Sequence, residues 1–530
     1  MHLPLTPIRC LYRGVELYGN KEGVVSGERR FTYAQFGERC ERLAAGLLAL
    51  GVHPGDRVAY LSFNTNQLLE GYYGPALIRA VVMPLNVRLT PVELTQILNH
   101  WGAKVLIFEN EFAPLVEAFR RACPEIMAYV ATEEEIPQAH LTFEELLRKG
   151  RIEPPDWTKF DENDIAELFY TSGSTGTPKG VMLSHRTLYV HALNILASSV
   201  HHDTDVALHT IPLFHANGWG AAQISTMSGT KQVMVRRFEP THVFRLIQQE
   251  RATHMGMVPV MANALLNSPD LGKFDTSSLQ EIMMGGAASS PELIERLEKA
   301  FQCAVLVGYG LTETSPTVSQ SRLKGTVQFK DEKDRLFHMS MAGWPAIGVE
   351  VRVVDNDMKD VPRDGATMGE IVVRSDNVMD GYFREPKATE SVMSGGWFHS
   401  GDMAVWDGET YLHIVDRKKD IIISGGENIS SIEVEKAIFA HPAVFECAVV
   451  GAPDAKWGEI PVATVVLKPG EKLTPEELQA FLEQRLAKFK LPRAIHFSEQ
   501  QLPKTGTGKI LKREIRDAFW QGMSRKVQGA

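Results

Sequence analysis

Cysteine is scarce in this chain: five in 530 residues, at Cys10, Cys40, Cys123, Cys303 and Cys447, with no C-x-x-C pair among them. That argues against a disulfide framework and against a thiolate metal cage, and the five read as reduced and structural. Long apolar runs are also missing. No stretch reaches the roughly 18 apolar residues that a bilayer-spanning helix needs, so no transmembrane segment is expected. The first thirty residues carry Arg9, Arg13 and Glu16 and have no apolar core of a secretory signal, which makes the cytoplasm the expected location. Positive charge is in deficit too, with 56 Lys and Arg against 65 Asp and Glu and a formal net charge of −9. A broad cationic field facing phosphates is therefore absent, and nucleic acid is not an expected partner. There is no internal repeat and no low-complexity tract; the acidic run Glu133 to Glu135 reads as a solvated face.

What remains is an ordinary globular composition, 44% apolar and 23% charged. The length exceeds what one hydrophobic core supports, so two or more domains are expected. Before about residue 415, short apolar runs alternate with capped amphipathic helices, the pattern of α/β layering. Thr90-Pro91-Val92-Glu93 is a capping box that predicts a helix over roughly 91 to 100, and Val105 to Phe108 reads as a buried strand. Ser290 before Pro291 starts a helix whose Leu293, Ile294, Leu297, Ala300 and Phe301 share a face. The texture changes at the charge cluster Asp416 to Asp420. Beyond it, Ser430-x-x-Glu433 and Thr474-Pro475-Glu476-Glu477 open helices, and Cys447 to Val450 and Ala463 to Leu467 read as strands, giving a compact α+β domain.

The densest signal lies at residues 170 to 180, Tyr-Thr-Ser-Gly-Ser-Thr-Gly-Thr-Pro-Lys-Gly, directly after the apolar stretch Ile165 to Phe169. Glycines expose backbone N–H groups, Thr171, Ser172, Ser174 and Thr175 add hydroxyls, and Lys179 adds one mobile charge. Together these suit the anionic oxygens of a polyphosphate. The plain alternative, a solvated turn between strands, needs far fewer residues. A phosphate-loop hydrolase would place Gly before the lysine and Ser or Thr after it to hold magnesium. Pro178 and Gly180 stand there instead, which opposes a phosphate-loop NTPase. A second small-residue loop ends the chain's ordered pattern: Pro503-Lys504-Thr505-Gly506-Thr507-Gly508-Lys509-Ile510, then Leu511-Lys512-Arg513. Alone, it reads as a polar hairpin beside a basic, solvated helix.

Between the loops lie Pro212 to Trp219, Gly308-Tyr309-Gly310-Leu311-Thr312-Glu313-Thr314, Phe398-His399-Ser400-Gly401-Asp402 and Asp416-Arg417. In this order and spacing the chain resembles the adenylate-forming superfamily of acyl-CoA synthetases, peptide-synthetase adenylation domains and beetle luciferases, from about Phe31 to Arg513. The resemblance implies a large N-terminal domain of layered α/β sheets with an associated β-barrel, residues 1–418. It implies a small mobile α+β domain, residues 419–530, turning about Lys419.

The same resemblance assigns roles. Thr171, Ser172, Gly173, Ser174, Thr175, Gly176 and Lys179 wrap the ATP phosphates, and Thr312 with Glu313 lies by the α-phosphate. Glu313, with Thr171, would hold Mg2+, whose charge reverses the repulsion between a carboxylate and phosphates. Tyr309, between Gly308 and Gly310, would stack on adenine, with Gly286 and Ala287 along its other edge. Asp402 would accept the ribose hydroxyls and Arg417 would also reach the ribose. Lys509 would enter during adenylation and meet the charge that gathers when a carboxylate oxygen attacks the α-phosphorus. Gly425 and Gly426 would then swing into the tunnel used by CoA.

The acyl pocket implied by the resemblance takes His215, Trp219, Gly220, Val258, Gly285 and Gly286, which are mostly small or apolar. The amino-acid-activating members carry an Asp in the segment matching Phe214 to Gly218; none is present here, and an unpaired buried ammonium is costly, so amino-acid substrates are disfavoured. His215 would shape the carboxylate and thiol ends of the tunnel, and Trp219 resembles a tryptophan that gates it. The implied reaction is carboxylate plus ATP to acyl-AMP and pyrophosphate, then displacement of AMP by CoA. Medium- to long-chain fatty acids are the expected substrates; short, branched, thioether or aryl acids are the alternative, because one methylene is worth only about 1–3 kcal/mol. A non-catalytic acyl-adenylate-binding protein is opposed by Lys509, Glu313, Asp402 and Arg417 all being present. Several members are homodimers, which makes a homodimer the expected assembly.

Overall fold

The computed structural model describes residues 3–171, 179–199, 201–504 and 510–520. The chain divides into two compact units, residues 1–351 with 373–398, and residues 352–372 with 399–530. The stretch 399–418, which the sequence reading groups with the large domain, thus clusters with the C-terminal residues.

The first unit is built on two mixed sheets. One has nine strands, ordered in space Trp344–Pro345, Thr317–Gln320, Ala304–Gly310, Glu281–Met284, His254–Met257, Val206–His209, Lys231–Met234, Glu22–Ser26 and Arg29–Thr32. Its six central strands run parallel and the edges are antiparallel. Such strands are covered on both faces, which is why they read as nearly continuous apolar runs. Val243, Phe244, Ile247, Leu293, Ile294, Leu297 and Phe301 supply the covering side chains from the helices Pro240–Glu250 and Pro291–Phe301. The eight-stranded sheet places Ile165–Thr171 and Lys179–Ser184 side by side as an antiparallel pair, with Thr171 opposite Lys179. The capping box at Thr90 opens Pro91–Trp101 as expected, and Ala103–Phe108 is the buried strand that follows.

A small half-barrel sheet follows in the chain, with strands that include Glu350–Val354, Gly369–Arg374, Trp397–Trp406 and Leu412–Arg417. The second unit ends in a five-stranded sheet dominated by the long antiparallel pair Val444–Asp454 and Gly458–Leu467. The helices capped by Ser430 and Thr474 pack Val434, Ile438, Leu478 and Leu482 against it. No helix among the described residues is long and apolar enough to cross a membrane.

Candidate active site

Thr171 closes one strand and Lys179 opens its partner, so the two ends of the phosphate loop are held in register by the sheet. Ser172, Gly173, Ser174, Thr175 and Gly176 lie outside the described residues. Lys179 sends its Nζ over the ring of Tyr382, 4.8 Å from the centroid, and the Tyr382 hydroxyl donates to Glu313 Oε1 at 2.8 Å. Tyr382 reaches this place because Gly381–Tyr382 adds to the same sheet beside Lys179–Ser184, with Tyr382 opposite Val181. Its phenol is held well above the ordinary range by burial and by the Glu313 carboxylate. Glu313 is presented by the single 3-10 turn Thr312–Thr314, whose backbone Thr314 ties down by bonding Leu311. Met379 N–H also donates to the Glu313 carbonyl at 2.8 Å. The loop lysine and the candidate metal carboxylate are therefore linked through one tyrosine that sequence reasoning passed over.

The segment after Phe214 has an unusual backbone. Ala216, Asn217, Gly218, Trp219 and Gly220 all have positive φ, from +44° to +76°, which makes a left-handed turn before the helix proceeds to Ser228. A left-handed conformation costs a side-chain-bearing residue about 1–2 kcal/mol, so the turn persists only because its surroundings hold it. Asn217 Nδ2 and Gln223 Nε2 both donate to Glu167 Oε1, each at 2.9 Å. Asn64 bonds Ile211 O and Leu213 N on the approach. Glu167 is fully buried in the strand that leads into the phosphate loop, and burial pushes its carboxyl up to about 8 against the opposing pull of the two amides. The stretch Ile165 to Phe169, read from sequence as apolar, thus contains a buried acid that joins the phosphate-loop strand to the left-handed turn. A lone Glu between Ala166 and Leu168 was the available signal.

The turn lays Trp219 along a floor of glycines. A Cβ on Gly256 would stand 3.2 Å from the indole, one on Gly285 3.1 Å, and one on Gly286 3.9 Å from it and 3.2 Å from Val258 Cγ1. Gly308 O lies 3.4 Å from the same point on Gly285. The structure therefore brings together Trp219, Val258, Gly285, Gly286 and Gly308. Gly220 faces His191, whose ring stands where a Cβ would have to fit. Tyr309 is half-buried in the following strand, Gly310 and Ala287 are exposed, and Thr312 is buried. His215 is exposed at the mouth of the turn, where its backbone N–H donates to Pro212 O.

In the second unit, Asp402 and Arg417 are opposite one another on paired strands, and Arg417 Nε lies 2.6 Å from Asp402 Oδ1. Asp402 is buried, while Arg417 is half-exposed. Lys419, at the surface, accepts Arg516 Nη1 on its backbone carbonyl at 3.0 Å. Gly425 and Gly426, at φ +61° and +90°, form the two-residue link of the hairpin Ile422–Ser424 and Glu427–Ile429, as a primed turn requires. A Cβ on Gly425 would meet Trp457 at 2.6 Å, so the fold itself demands glycine there. Lys509 lies outside the described residues. Lys512, three positions on, departs from the expectation of a solvated basic helix: it is only partly exposed, 2.8 Å from Glu435 Oε1 and 2.7 Å from Ser431 Oγ. Its neighbour Asp416 accepts the Ser431 hydroxyl at 2.7 Å, so the partial desolvation of the ammonium is matched by two carboxylates.

The chain matches the AMP-binding enzyme family over residues 11–383 and the AMP-binding enzyme C-terminal domain over residues 433–509. The chain belongs to the AMP-binding enzyme family. Within it, the chain is an AMP-forming acid–CoA ligase, working through an acyl-AMP. The ligase is 40% identical to the long-chain-fatty-acid–CoA ligase of Thermus thermophilus over 518 residues, 96% of this chain and 94% of that one. It shares its fold with the crystal structure of an anthranilate–CoA ligase in complex with anthranoyl-AMP, at TM-score 0.86, 26% identity and 98% coverage of both chains. ATP-bound MatB from Rhodopseudomonas palustris matches at TM-score 0.85 and 27% identity, over 98% of this chain and 99% of that one. Relatives named for long-chain fatty acid, butyrate, ferulate and benzoate stand at 34–40% identity. ATP, a carboxylic acid and CoA are accordingly the ligase's substrates, and the acid is the one left to be chosen.

Proposed function

We propose that the ligase activates medium- to long-chain fatty acids. The observation that carries this reading is Trp219 lying directly on a floor of Gly256, Gly285 and Gly286, an apolar indole packed against backbone that carries no side chains. An alkyl chain gains about 0.8 kcal/mol for each methylene buried in such surroundings. An aryl acid is the second reading, favoured by the same flat indole, on which a ring can stack. AMP release measured across carboxylic acids of graded chain length, with and without CoA, tests both. A kcat/KM that rises steadily from short to long alkyl acids supports the first reading; a maximum at benzoate or cinnamate-type acids overturns it in favour of the second.

Thr171 and Lys179, with Ser172 to Gly176, hold the departing pyrophosphate in this proposal. Glu313 and Thr171 fit Mg2+: both offer oxygen donors, one of them anionic, in the patch tied together by Lys179 and Tyr382. Held by Glu313 and Thr171, the ion would offset part of the negative charge of the phosphates. Tyr309, Gly286 and Ala287 take the adenine; Asp402 and Arg417 take the ribose. His215 and Gly220 shape the approach to the acid's carboxylate, and Thr312 lies by the α-phosphate. Lys509 supplies the ammonium for the charge developing there, a contribution typically worth about 10²- to 10³-fold in rate. It must then withdraw for the CoA thiol to reach the acyl-adenylate, and turning about Lys419, which brings Gly425 and Gly426 to the CoA tunnel, accomplishes this. Lys509→Ala should lose most pyrophosphate exchange while keeping ATP binding; exchange within a few-fold of wild type sinks that role. A homodimer is the proposed assembly, and sedimentation velocity tests it.

A further inference from the structure

Away from the residues given to ATP, the acid and CoA, the nine-stranded sheet gathers three good metal ligands. His201 and Asp205 come from the loop ahead of Val206–His209, and His254 starts the neighbouring strand His254–Met257. The two strands run parallel with Ala207 opposite His254. One ring nitrogen from each histidine and one carboxylate oxygen of Asp205 all lie within 4.8 Å of one another. Asp205 is buried, and the two imidazole rings face each other at 5.7 Å, tilted by 33°.

We propose that His201, Asp205 and His254 form a site for one divalent ion of the Zn2+ class. Two imidazoles and one carboxylate are the donor set such borderline ions prefer, whereas Mg2+ takes an all-oxygen set. Bonds of about 2.0–2.1 Å in a tetrahedral site put ligand atoms roughly 3.3 Å apart, so closure on an ion needs side-chain movements under about 1 Å.

The surroundings are arranged to orient these ligands. Thr253 Oγ1 is 2.8 Å from His254 Nδ1, which fixes the ring and turns Nε2 to the ion. Thr253 in turn accepts the Val206 N–H at 2.9 Å, so the hydroxyl is anchored to the adjacent strand. Asp205 Oδ2 accepts the His202 N–H at 2.7 Å, which holds the loop closed around the carboxylate. The charges that bear on the triad are compensated: Arg322, which faces His201, is paired with Glu281 at 3.3 Å and bonded to Ser199 Oγ at 2.8 Å. Lys21, which faces Asp205, also faces the Asp203 carboxylate and is held by the Asp203 and Gly229 carbonyls.

The triad stands at the beginning of two strands whose far ends lead to Ile211–Phe214 and to Val258, beside Trp219. Its role is accordingly to brace the sheet. An ion there ties the loop before one strand to the start of the next and stabilises the folded chain in proportion to its occupancy.

The test uses the full chain stripped with a chelator and titrated with Co2+ and Zn2+ without ATP. One equivalent of Co2+ should give the intense visible absorption of a low-coordinate site, Zn2+ should displace it, and Zn2+ should raise Tm by several degrees. His201→Asn and His254→Gln should each weaken binding by more than about 100-fold and remove the rise in Tm. Both variants should keep substrate-dependent AMP release in Mg2+, which shows that they are folded; if either fails to fold, Asp205→Asn replaces it. Unchanged Co2+ affinity in the variants, absence of stoichiometric binding in the wild type, or loss of binding in Glu313→Gln alone each overturns the assignment.

Discussion

Tyr382 stands between the cation of the phosphate loop and the carboxylate proposed to hold Mg2+, and each of its contacts has a separable consequence. Its ring shields Lys179, and its hydroxyl occupies one oxygen of Glu313. Tyr382→Phe keeps the ring and deletes the hydrogen bond, so the expected outcome is a raised Mg2+ requirement in the AMP-release assay with little change in stability. Tyr382→Ala should weaken both ATP and Mg2+. A Mg2+ titration on the two variants checks this, and identical Mg2+ dependence in the Tyr382→Phe variant and the wild-type enzyme counts against the carboxylate's role. Glu167 is the other residue whose chemistry is set by its neighbours. Burial raises its carboxyl to about 8, above the value of about 4.5 in an unfolded chain. Between those values the folded protein keeps a proton that the unfolded chain releases, so stability falls as pH rises through this window. Glu167→Gln, which retains a carbonyl for Asn217 and Gln223, should remove that fall. Thermal melts at pH 6 and pH 9 read the difference directly.

At the scale of elements, the left-handed turn from Ala216 to Gly220 is the most demanding piece of backbone in the candidate acyl pocket. Gly220 has φ +76° and lies against the His191 ring. Gly220→Ala should cost at least about 1–2 kcal/mol from the backbone, and more from the ring it displaces. Because Trp219 is held by the same turn, kcat/KM should shift between alkyl chain lengths more than it falls uniformly; a uniform fall would separate the turn from selectivity. Lys419 poses the corresponding question for the link after Leu412–Arg417. Proline there removes rotational freedom and a backbone donor, so Lys419→Pro is expected to retain adenylation, read as pyrophosphate exchange, and to lose thioester formation. Equal loss of both half-reactions counts against turning about this residue.

Across the whole molecule, buried histidines set a second limit on stability. Burial drives His185 and His209 down to about 4 and His191 to about 3. Each stays neutral when folded and gains a proton when unfolded below about 6.5, so their contribution is complete above that value and is lost as pH falls towards 4. Three histidine protons outweigh the single opposing proton of Glu167 below about 6.5, while above it Glu167 acts alone. These four groups therefore give a stability maximum near pH 6.5. Unfolding in urea at several pH values should show it, with the alkaline side flattened in Glu167→Gln.

Helix starts were legible from sequence because a cap is a local event: Thr90, Ser290, Ser430 and Thr474 each bond a backbone N–H three residues ahead. Asp402 and Arg417 were legible as motif residues, and their pairing across adjacent strands follows from a short antiparallel connection. Glu167 with Asn217, Tyr382 with Glu313, and His201 with His254 were not, because each pair is joined by neighbouring strands or packed elements that sequence distance conceals. The pairing of Lys512 was hidden for the same reason, since its partner Glu435 lies on another helix.

The amino-acid sequence by itself determined the layered α/β order, the capped helices, the phosphate-binding composition of residues 170 to 180 and the membership of a ligase family, all of which depend on local spacing or on motifs in fixed order. Only the tertiary structure decided that a buried acid braces the candidate acyl pocket, that a tyrosine connects Lys179 to Glu313, and that two histidines and an aspartate meet at one end of a sheet. Those arrangements rest on hydrogen bonds, ion pairs and ring contacts between segments far apart in the chain, and such contacts acquire their energy only after the sheets have formed.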